Sequence, residues 1–477
     1  MNIRGMIKAY FGILAILGLL MLIVPLVDSI YGEPVSISFL LLGEALLALG
    51  LIAREIKAEA LTTLEALVVG ISAWISIPII SALALSYETR TSYIDALFES
   101  ISGFTGTGFS VFKLTGLKHS ILLWRSIMQW SGELGFVVFA MVFIPYFYNI
   151  ARRLYGIERP VKIEATFYRT ALRLLSVYAI LTATGTLAYY ITGMSIFDSL
   201  NHVMTTIATG GMSTYDNGYA VIYQKAPLTS IPILVLMIIG GMNFYDINNL
   251  VSGRIKHLLK SEELKYYLLT LVTISSLTAL SYIFIEKLPL TYSLIAGFFN
   301  SISGITTTGF SIGSLGGLRD VTKAIFVMGM YVGGMTFSTA GGIKALRLMI
   351  IFRKLRHVAS EMIMPSYATC RVVVRRVEVS EEDVSTALFI TIMHAAMIFI
   401  GATLISIEGY RFIDALFEAT SAASCVGLSV GIIGPNSPLL VKVVIMILML
   451  SGRLEYVPIL LLISLIVSRK ALHVLRW

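Results

Sequence analysis

Four short segments rich in threonine, glycine and serine recur along the chain, and their main chain could bind a dehydrated cation. The two clearest copies are residues 98–110 and 299–311, and weaker copies lie at 198–213 and 414–429. Each copy has a glycine at the matching position, and these are Gly108, Gly211, Gly309 and Gly427. Glycine adopts at low cost the backbone conformations that direct successive carbonyl oxygens toward one axis. The repeat therefore indicates a site built from main-chain oxygens.

The residues before each glycine would supply the remaining ligands of such a filter. The predicted filter residues are Gly106, Thr107, Gly108, Thr209, Gly210, Gly211, Thr307, Thr308, Gly309, Cys425, Val426 and Gly427. None of them is a carboxylate, so their neutral dipoles suit a large monovalent cation better than calcium or magnesium. A single threonine–glycine segment in a membrane protein is usually a kink or a packing face. Four equivalent copies favour the filter.

The composition indicates that a lipid bilayer surrounds the elements that position these segments. The 477 residues are 57% hydrophobic and only 13% charged, which is more apolar surface than a soluble domain can bury. The first apolar stretch, residues 6–27, is too long for a cleaved signal peptide, so we expect a retained transmembrane helix. The two cysteines, Cys370 and Cys425, form neither a disulfide framework nor a metal-binding spacing.

The order of apolar stretches predicts an all-α polytopic membrane protein with ten spans. Two N-terminal transmembrane helices occupy residues 1–60 in this prediction. Four pore units around one pore are predicted at 61–160, 161–258, 259–365 and 366–477. Each unit consists of a span, a half-length helix, a threonine–glycine strand and a second span. The second spans are predicted at 119–148, 228–252, 322–352 and 438–468.

The half-length helices are predicted at 93–104, 196–207, 292–305 and 411–423. A helix of about 11 residues is about 16 Å long and crosses only half of the hydrocarbon, so it must be buried in protein or line a cavity. Four C-terminal ends directed at one cavity favour a cation there. We expect Asp95, Asp198 and Asp414 to cap the free N–H groups at the helix starts.

The basic residues set the expected orientation of the chain. The net charge is +8, which could indicate a nucleic-acid partner, but most Lys and Arg lie in alternate loops. Examples are Arg152, Arg153, Arg254, Lys256, Arg353 and Lys354. Basic loops face the cytoplasm, so we predict a multi-pass plasma-membrane protein with both termini cytoplasmic and no nucleic-acid partner. Docking of these loops to an acidic partner or to anionic lipid stays open.

The second span of unit three contains a glycine- and hydroxyl-rich interruption. Its residues include Gly333, Gly334, Thr336, Ser338, Thr339, Gly341 and Gly342. Each glycine in a continuous helix costs about 1 kcal/mol relative to alanine, so a break is expected. Irregular backbone at this depth must be lined by protein or water. Beneath the filter such a loop would obstruct the path, and we predict that it is a gate.

A buried arginine is the predicted partner of this loop. Arg453 lies within an apolar span, where it costs at least about 2.5–3.5 kcal/mol unless it is paired. We predict that it contacts residues 333–342 and holds them closed; a clamp without gating is the alternative. Lys344 is expected to line the pore or to reach the membrane surface. His202 and His394 are expected to be packing residues.

The chain resembles the Trk/Ktr/HKT superfamily of potassium uptake proteins over nearly its whole length. Residues 124–135 are similar to the signature after the first filter, although Glu133 stands where a second glycine is usual. Residues 207–214, 333–344 and 452–455 resemble the second filter, the intramembrane loop and the motif of the last span. The two extra N-terminal spans resemble the TrkH branch rather than the KtrB branch.

The resemblance implies a TrkH-like, potassium-translocating subunit that forms a homodimer in the lipid bilayer, with one pore in each chain. It also implies a cytosolic, nucleotide-binding TrkA-like regulatory partner, and no cofactor in this chain apart from the permeant potassium ion. Glycine in all four filters resembles potassium-selective members. Because Gly210 and Val426 stand where Thr107 and Thr308 do, modest selectivity over sodium is expected.

The prediction is therefore potassium uptake through a channel-like pore, without enzymatic activity. One alternative is a secondary carrier that couples potassium to protons or sodium, which would need ionisable residues at mid-membrane. A membrane-embedded enzyme would need a clustered His/Asp/Glu or Ser/His set within the spans, and a scaffold would retain only a vestigial pore.

Overall fold

The computed structural model describes residues 2–59, 61–147, 163–258, 260–362, 373–374 and 377–456. Residues 457–468, the predicted end of the last span, lie outside this range. Arg152 and Arg153, two of the basic loop residues used to predict the orientation, also lie outside it.

Two N-terminal segments precede the repeated units. The first apolar stretch forms helices Ile3–Met21 and Ile23–Tyr31, and the second forms Ile37–Arg54. A Cβ atom on Gly18 would lie 2.7 Å from the carbonyl oxygen of Gly43, so the absence of a side chain lets these segments pack backbone to backbone. Phe39 packs edge-on against Trp124 of unit one, with ring centroids 5.2 Å apart, which joins this pair to the rest of the protein.

Four successive units share one order of elements, as predicted. Their first helices are Thr63–Thr89, Ile163–Ile191, Glu262–Phe284 and Glu381–Ser406. Their half-helices are Tyr93–Phe104, Ile196–Ile207, Leu290–Ile305 and Phe412–Ala423. Their second helices begin as His119–Phe147, Ser230–Gly240, Asp320–Val332 and Leu439–Arg453. Six helices of the described ranges are long and apolar enough to cross a membrane.

The remaining described elements connect these units. Unit two also has the short helices Tyr219–Lys225, Phe244–Val251 and Ile255–Leu258 and a 3-10 turn at Pro227–Thr229. After helix Ala345–Glu361 of unit three, strands Val373–Val374 and Val377–Glu378 pair antiparallel. The all-α membrane fold is confirmed, whereas the boundaries assigned to the four units stay a prediction.

The second helices of units two and three are interrupted close to the ends of their half-helices. The predicted break in unit three is present, because the helix ends at Val332 and resumes at Ala345. The predicted span at 228–252 is divided, because helix Ser230–Gly240 is separated from Phe244–Val251 by a turn. The turn receives the loop of unit three, whose Met335 N–H donates to the Gly241 carbonyl at 2.9 Å. In unit four the helix ends at Arg453.

The half-helix starts are capped differently from the prediction. Ser92 Oγ and Ser195 Oγ accept hydrogen bonds from the backbone N–H groups three residues later, at 3.1 and 3.0 Å. The expected capping by the side chains of Asp95, Asp198 and Asp414 was wrong. Asp198 accepts from side chains, among them Thr214 Oγ1 at 2.6 Å, and Asp95 and Asp414 each pair with a lysine of another unit.

These two lysines link neighbouring units. Lys323 Nζ donates to Asp414 Oδ1 at 2.5 Å and joins unit three to unit four. Lys442 Nζ donates to Asp95 Oδ1 at 2.6 Å and joins unit four to unit one. Lys323 is only 2% exposed, and its carboxylate partner is 19% exposed. The pairs therefore hold the half-helix starts in place from inside the protein.

Asp414→Asn should lower the free energy of unfolding by about 2 kcal/mol, because it leaves Lys323 buried without its counter-charge. Asp320→Asn is the matched control, since it removes an aspartate at another helix start whose partner Arg411 is 65% exposed; it should cost less than about 1 kcal/mol. Thermal unfolding of the purified protein, followed by tryptophan fluorescence, measures both. Equal shifts for the two variants would contradict the assignment.

Candidate functional site

The four segments after the half-helices adopt the same backbone conformation. Their first residues are all left-handed, with φ of 64° at Gly106, 48° at Thr209, 56° at Thr307 and 52° at Cys425. Two residues later the glycines are left-handed as well, with φ of 89° at Gly108, 69° at Gly211, 86° at Gly309 and 84° at Gly427. Three of the first residues are not glycine, so the surrounding fold imposes a conformation that side chains disfavour.

Each of these glycines lies against the middle carbonyl of the next unit. The position that an ideal Cβ atom would take on each glycine shows how close the contact is. On Gly108 it would lie 1.9 Å from Gly210 O, and on Gly211 it would lie 1.9 Å from Thr308 O. On Gly309 it would lie 2.1 Å from Val426 O, and on Gly427 it would lie 2.0 Å from Thr107 O. The contacts run from unit one to two, three and four and return to unit one. The predicted filter residues therefore meet in one closed ring, which we name the carbonyl ring. No side chain fits at its four glycines.

The second helices are seated against the ends of the half-helices. Ideal Cβ atoms on Gly132 and Gly452 would lie 2.2 Å from Phe104 O and 1.8 Å from Ala423 O. Gly240 makes the same approach in unit two, at 3.1 Å from Ile207 O. Close backbone packing of this kind is what glycine permits in membrane helices, and it determines how far each segment projects toward the ring axis.

A buried polar side chain holds each segment from behind. It stands nine residues before the ring glycine in every unit, and the four are Glu99, His202, Asn300 and Glu418. The sequence analysis missed Glu99, Asn300 and Glu418 and treated His202 only as a packing residue, although the constant spacing to the glycines was a usable signal. All four are bonded to residues that follow the ring glycine of their own unit, which fixes the return of the chain.

The four side chains carry different chemical groups, but each forms its hydrogen bonds with the equivalent stretch of its own unit. Glu99 accepts from Val111 N at 3.2 Å, and Asn300 both accepts from Ile312 N at 2.7 Å and donates to Ile312 O at 3.1 Å. Glu418 Oε1 accepts from Val430 N at 3.0 Å. His202 Nε2 lies 2.9 Å from Ser213 Oγ, so this histidine is a hydrogen-bonded packing residue, as expected.

Unit one supports the segment of unit two through two side chains. Arg125 Nε donates to Glu99 Oε1 at 2.6 Å, and its Nη1 donates to Ser213 O at 2.6 Å. Gln129 Nε2 donates to Gly210 O at 2.7 Å, a carbonyl of the ring. The amide fits because Gly210 has no side chain: a Cβ there would lie 2.3 Å from Gln129 Cδ. The quarter of the ring formed by unit two is therefore unlike the others.

Residues 333–344 lie against the first residues of the ring segments, and we name this side of the carbonyl ring the loop side. Thr209 Oγ1 donates to Thr339 Oγ1 at 3.1 Å, and Gly341 N donates to Thr307 Oγ1 at 2.8 Å. A Cβ on Gly341 would lie 2.0 Å from Ser424 O. The loop thus touches units two, three and four directly.

Further bonds fix the loop itself. Thr336 N donates to Glu263 Oε1 at 2.6 Å, and Asn243 Nδ2 donates to Thr336 O. Gly333 and Gly342 have φ of 71° and 75° and pack on each other, while Ala345 N donates to Gly334 O at 2.9 Å. Ser338 Oγ donates back to Met335 O. All the predicted loop residues therefore share one compact structure.

Arg453 contacts this loop. Its Nη1 donates to Thr339 O at 3.1 Å, and its Nη2 forms an ion pair with Glu133 Oε2. Both side chains are buried. Glu133 and Arg453 each follow a glycine that seats a second helix, so they occupy equivalent positions in units one and four. In the sequence Glu133 stands out only as a departure from the family signature.

The other ionisable groups near the loop have internal partners. Lys344 is 3% exposed and donates to Ala340 O, so neither expectation for it, lining the pore or reaching the membrane surface, was right; it closes the loop on itself. Glu455 pairs with Arg347. His394 is a packing residue, with Nδ1 2.8 Å from Tyr456 Oη and Nε2 3.1 Å from Ser424 Oγ.

The ring is a candidate cation-binding feature of the described ranges. Within them no group of three or more His, Cys, Asp and Glu side chains could hold a metal ion. The arrangement can offer an ion main-chain carbonyls from four directions, with hydroxyl groups of threonine on the loop side.

Known proteins share this sequence and fold. The family model described as TrkH, cation transport protein, matches residues 49–473. An uncharacterized cation transporter of Methanocaldococcus jannaschii is 29% identical over 468 residues, 97% of this chain and 96% of that protein. The Trk system potassium uptake protein TrkH of Salmonella typhimurium is 30% identical over 325 residues, 66% of each chain.

A solved structure extends the similarity to the fold. The crystal structure of the potassium transporter TrkH from Vibrio parahaemolyticus matches with a TM-score of 0.85 at 23% identity, covering 97% of this chain and 98% of that one. The resemblance inferred from the motifs is thereby confirmed. Because the family model covers far more than half of the sequence, the chain belongs to the TrkH family of cation transport proteins and is a transporter, not an enzyme.

Proposed function

We propose that the chain takes up potassium across the plasma membrane through a channel-like pore whose filter is the carbonyl ring. The observation that carries the proposal is the closed circuit of contacts between each ring glycine and the next unit's carbonyl. Carbonyl oxygens can replace the hydration shell of potassium, and the C-terminal ends of four half-helices favour a cation between them. The membrane potential supplies about 2.3 kcal/mol per charge per 100 mV for inward movement.

The choice of ion follows from the ligands and from the relatives. The ring residues are uncharged, which suits a monovalent ion better than a divalent one. Relatives of this chain are described as potassium uptake proteins. Selectivity over sodium is modest in this proposal, because Gly210 and Val426 contribute no hydroxyl and Gln129 already donates to one ring carbonyl.

The loop 333–342 is the proposed gate. It lies across the loop side of the ring, and Arg453 holds it through the Thr339 carbonyl. Opening would require this bond and the contacts to Thr209 and Thr307 to break. The alternative role for Arg453 is a clamp between spans that leaves conduction unchanged.

A second candidate is a carrier that couples potassium to protons. The observation that favours it is the buried Glu133–Arg453 pair at mid-membrane, where carriers place ionisable groups. A reversal potential that shifts with pH would support this candidate, whereas a reversal potential set by potassium alone would support the channel.

The family resemblance and the basic loops support the wider assembly that we propose. The chain forms a homodimer in the bilayer with one pore per chain, both termini are cytoplasmic, and a cytosolic nucleotide-binding TrkA-like subunit regulates it. No cofactor is assigned to this chain, and potassium is the permeant species.

Gly309→Ala should reduce potassium flux at least about tenfold, because its methyl group would overlap Val426 O; a penalty of about 1.4 kcal/mol is enough for that factor. The measurement is uptake of radioactive rubidium into proteoliposomes. Gly431→Ala is the matched control, since Gly431 also has positive φ, 101°, but nothing lies within 4 Å of the added methyl group. The proposed filter would be wrong if both variants transported like the unaltered protein.

Arg453→Gln should raise rubidium uptake severalfold in the absence of any partner, because the loop loses a charge-assisted bond to the Thr339 carbonyl. Arg411→Gln, which removes an exposed arginine of unit four, should leave uptake unchanged. If uptake by Arg453→Gln proteoliposomes equals that of the unaltered protein, Arg453 is a clamp and not part of a gate.

A further inference from the structure

In three of the four units, the first ring residue has a side chain on the loop side of the carbonyl ring. The first ring residues Thr209 and Thr307 direct their hydroxyl groups at the loop, 3.1 Å from Thr339 Oγ1 and 2.8 Å from Gly341 N. Cys425 Cβ lies 3.2 Å from the position of a Cβ on Gly341. The equivalent residue of unit one is Gly106, which has no side chain.

The carboxylate of Glu133 occupies the place of that missing side chain. An ideal Cβ on Gly106 would lie 1.9 Å from Glu133 Oε1, so any other residue at position 106 would displace the carboxylate. Glu133 reaches this place because Gly132 lets its helix rest on Phe104 O. The loop side of the ring is therefore lined by two hydroxyls, the Cβ of Cys425 and a carboxylate; the Cys425 thiol itself donates to Met449 O at 3.7 Å.

One oxygen of this carboxylate accepts no hydrogen bond from the described residues. Glu133 is fully buried, and its Oε2 is paired with Arg453. Oε1 is buried and has no hydrogen-bond partner among the residues that the structure describes. Burying a carboxylate oxygen without a partner is costly, and the cost is recovered if the oxygen faces a site that a cation occupies during transport.

We propose that Glu133 Oε1 is a ligand of a cation site at the loop side of the ring, together with the hydroxyls of Thr209 and Thr307, and that Arg453 competes with the cation for this carboxylate. The inference rests on the proposed function, because the site lies on the proposed ion path. In the present arrangement Arg453 and Lys344 supply positive charge close to Glu133. Removal of the loop and Arg453 would uncover a site with a full negative charge.

The negative charge of Glu133 should let this site bind divalent cations more strongly than a ring of neutral carbonyls does. Carboxylate oxygens bind divalent cations more strongly than carbonyl oxygens do. A divalent ion close to potassium in size, such as barium, should therefore lodge at Glu133 and inhibit transport. Arg453 weakens that inhibition in the unaltered protein because its guanidinium already neutralises the carboxylate.

The test is the barium concentration that halves rubidium uptake by proteoliposomes of purified protein. Arg453→Gln should lower this concentration about tenfold, because Glu133 is then free to bind barium. The double variant Arg453→Gln/Glu133→Gln should lose that gain completely. Equal barium inhibition of the single and the double variant overturns the proposal.

Two further variants separate charge from structure. In the Arg453→Gln background, Glu133→Asp retains the charge and should keep most of the barium sensitivity, whereas a purely structural role would make it as disruptive as Glu133→Gln. Glu455→Gln in the same background is the matched control: this carboxylate pairs with Arg347, so barium inhibition should not change. A change as large as that of Glu133→Gln would also overturn the proposal.

Failure of this inference is distinguishable from failure of the proposed function. Rubidium uptake by the unaltered protein without barium tests the pore alone. If that uptake is present and potassium-dependent but barium sensitivity is independent of Glu133, only the cation site is wrong.

Discussion

The contact between each ring glycine and the neighbouring carbonyl is the constraint on which the rest of the structure depends. It leaves no room for a Cβ atom at four places and requires four chain segments to approach one axis at the same depth. The half-helices supply the depth, since each ends two residues before the left-handed residue that opens its ring segment. Gly132, Gly240 and Gly452 then let the second helices rest against those ends, and the buried polar side chains behind the ring hold its segments in place.

Different side chains satisfy the same geometric demand in the four units. Two glutamates, a histidine and an asparagine stand at one equivalent position and bond to the returning chain. What the units share is the need to satisfy the N–H and hydroxyl groups behind the ring, because an unpaired polar group buried there is costly. The units therefore diverge in chemistry while the path of their main chain stays the same.

Much of this arrangement could be predicted from the sequence because it is local. Apolar length predicted the spans, and the half-helices begin and end within two residues of the predicted bounds, since a short polar-to-apolar segment followed by glycine marks them. Prediction failed where a contact joins distant parts of the chain. The carbonyl of the turn at Gly241 accepts from Met335 of a distant loop, and the buried Lys344 bonds to Ala340 within that folded loop.

The partners of charged residues could not be predicted for the same reason, because they come from distant parts of the chain. Arg453 required a partner by its cost alone, but its identity, Glu133, depends on the packing of units one and four. Asp95 and Asp414 were expected to cap their own helices, whereas each binds a lysine supplied by a different unit. A single sequence reveals that such groups must be satisfied and does not reveal by which partner.

The head-to-tail order of the ring has a consequence for how the protein is made. Unit four meets unit one through contacts separated by 347 residues for Lys442 and Asp95 and by 320 for Arg453 and Glu133. The ribosome synthesises the chain from the N-terminus, so units one to three enter the bilayer before unit four is made. Until then the ring lacks one of its four segments. Such distant closures are slow steps in assembly, and truncation anywhere before the last hairpin leaves an unsealed, lipid-exposed groove.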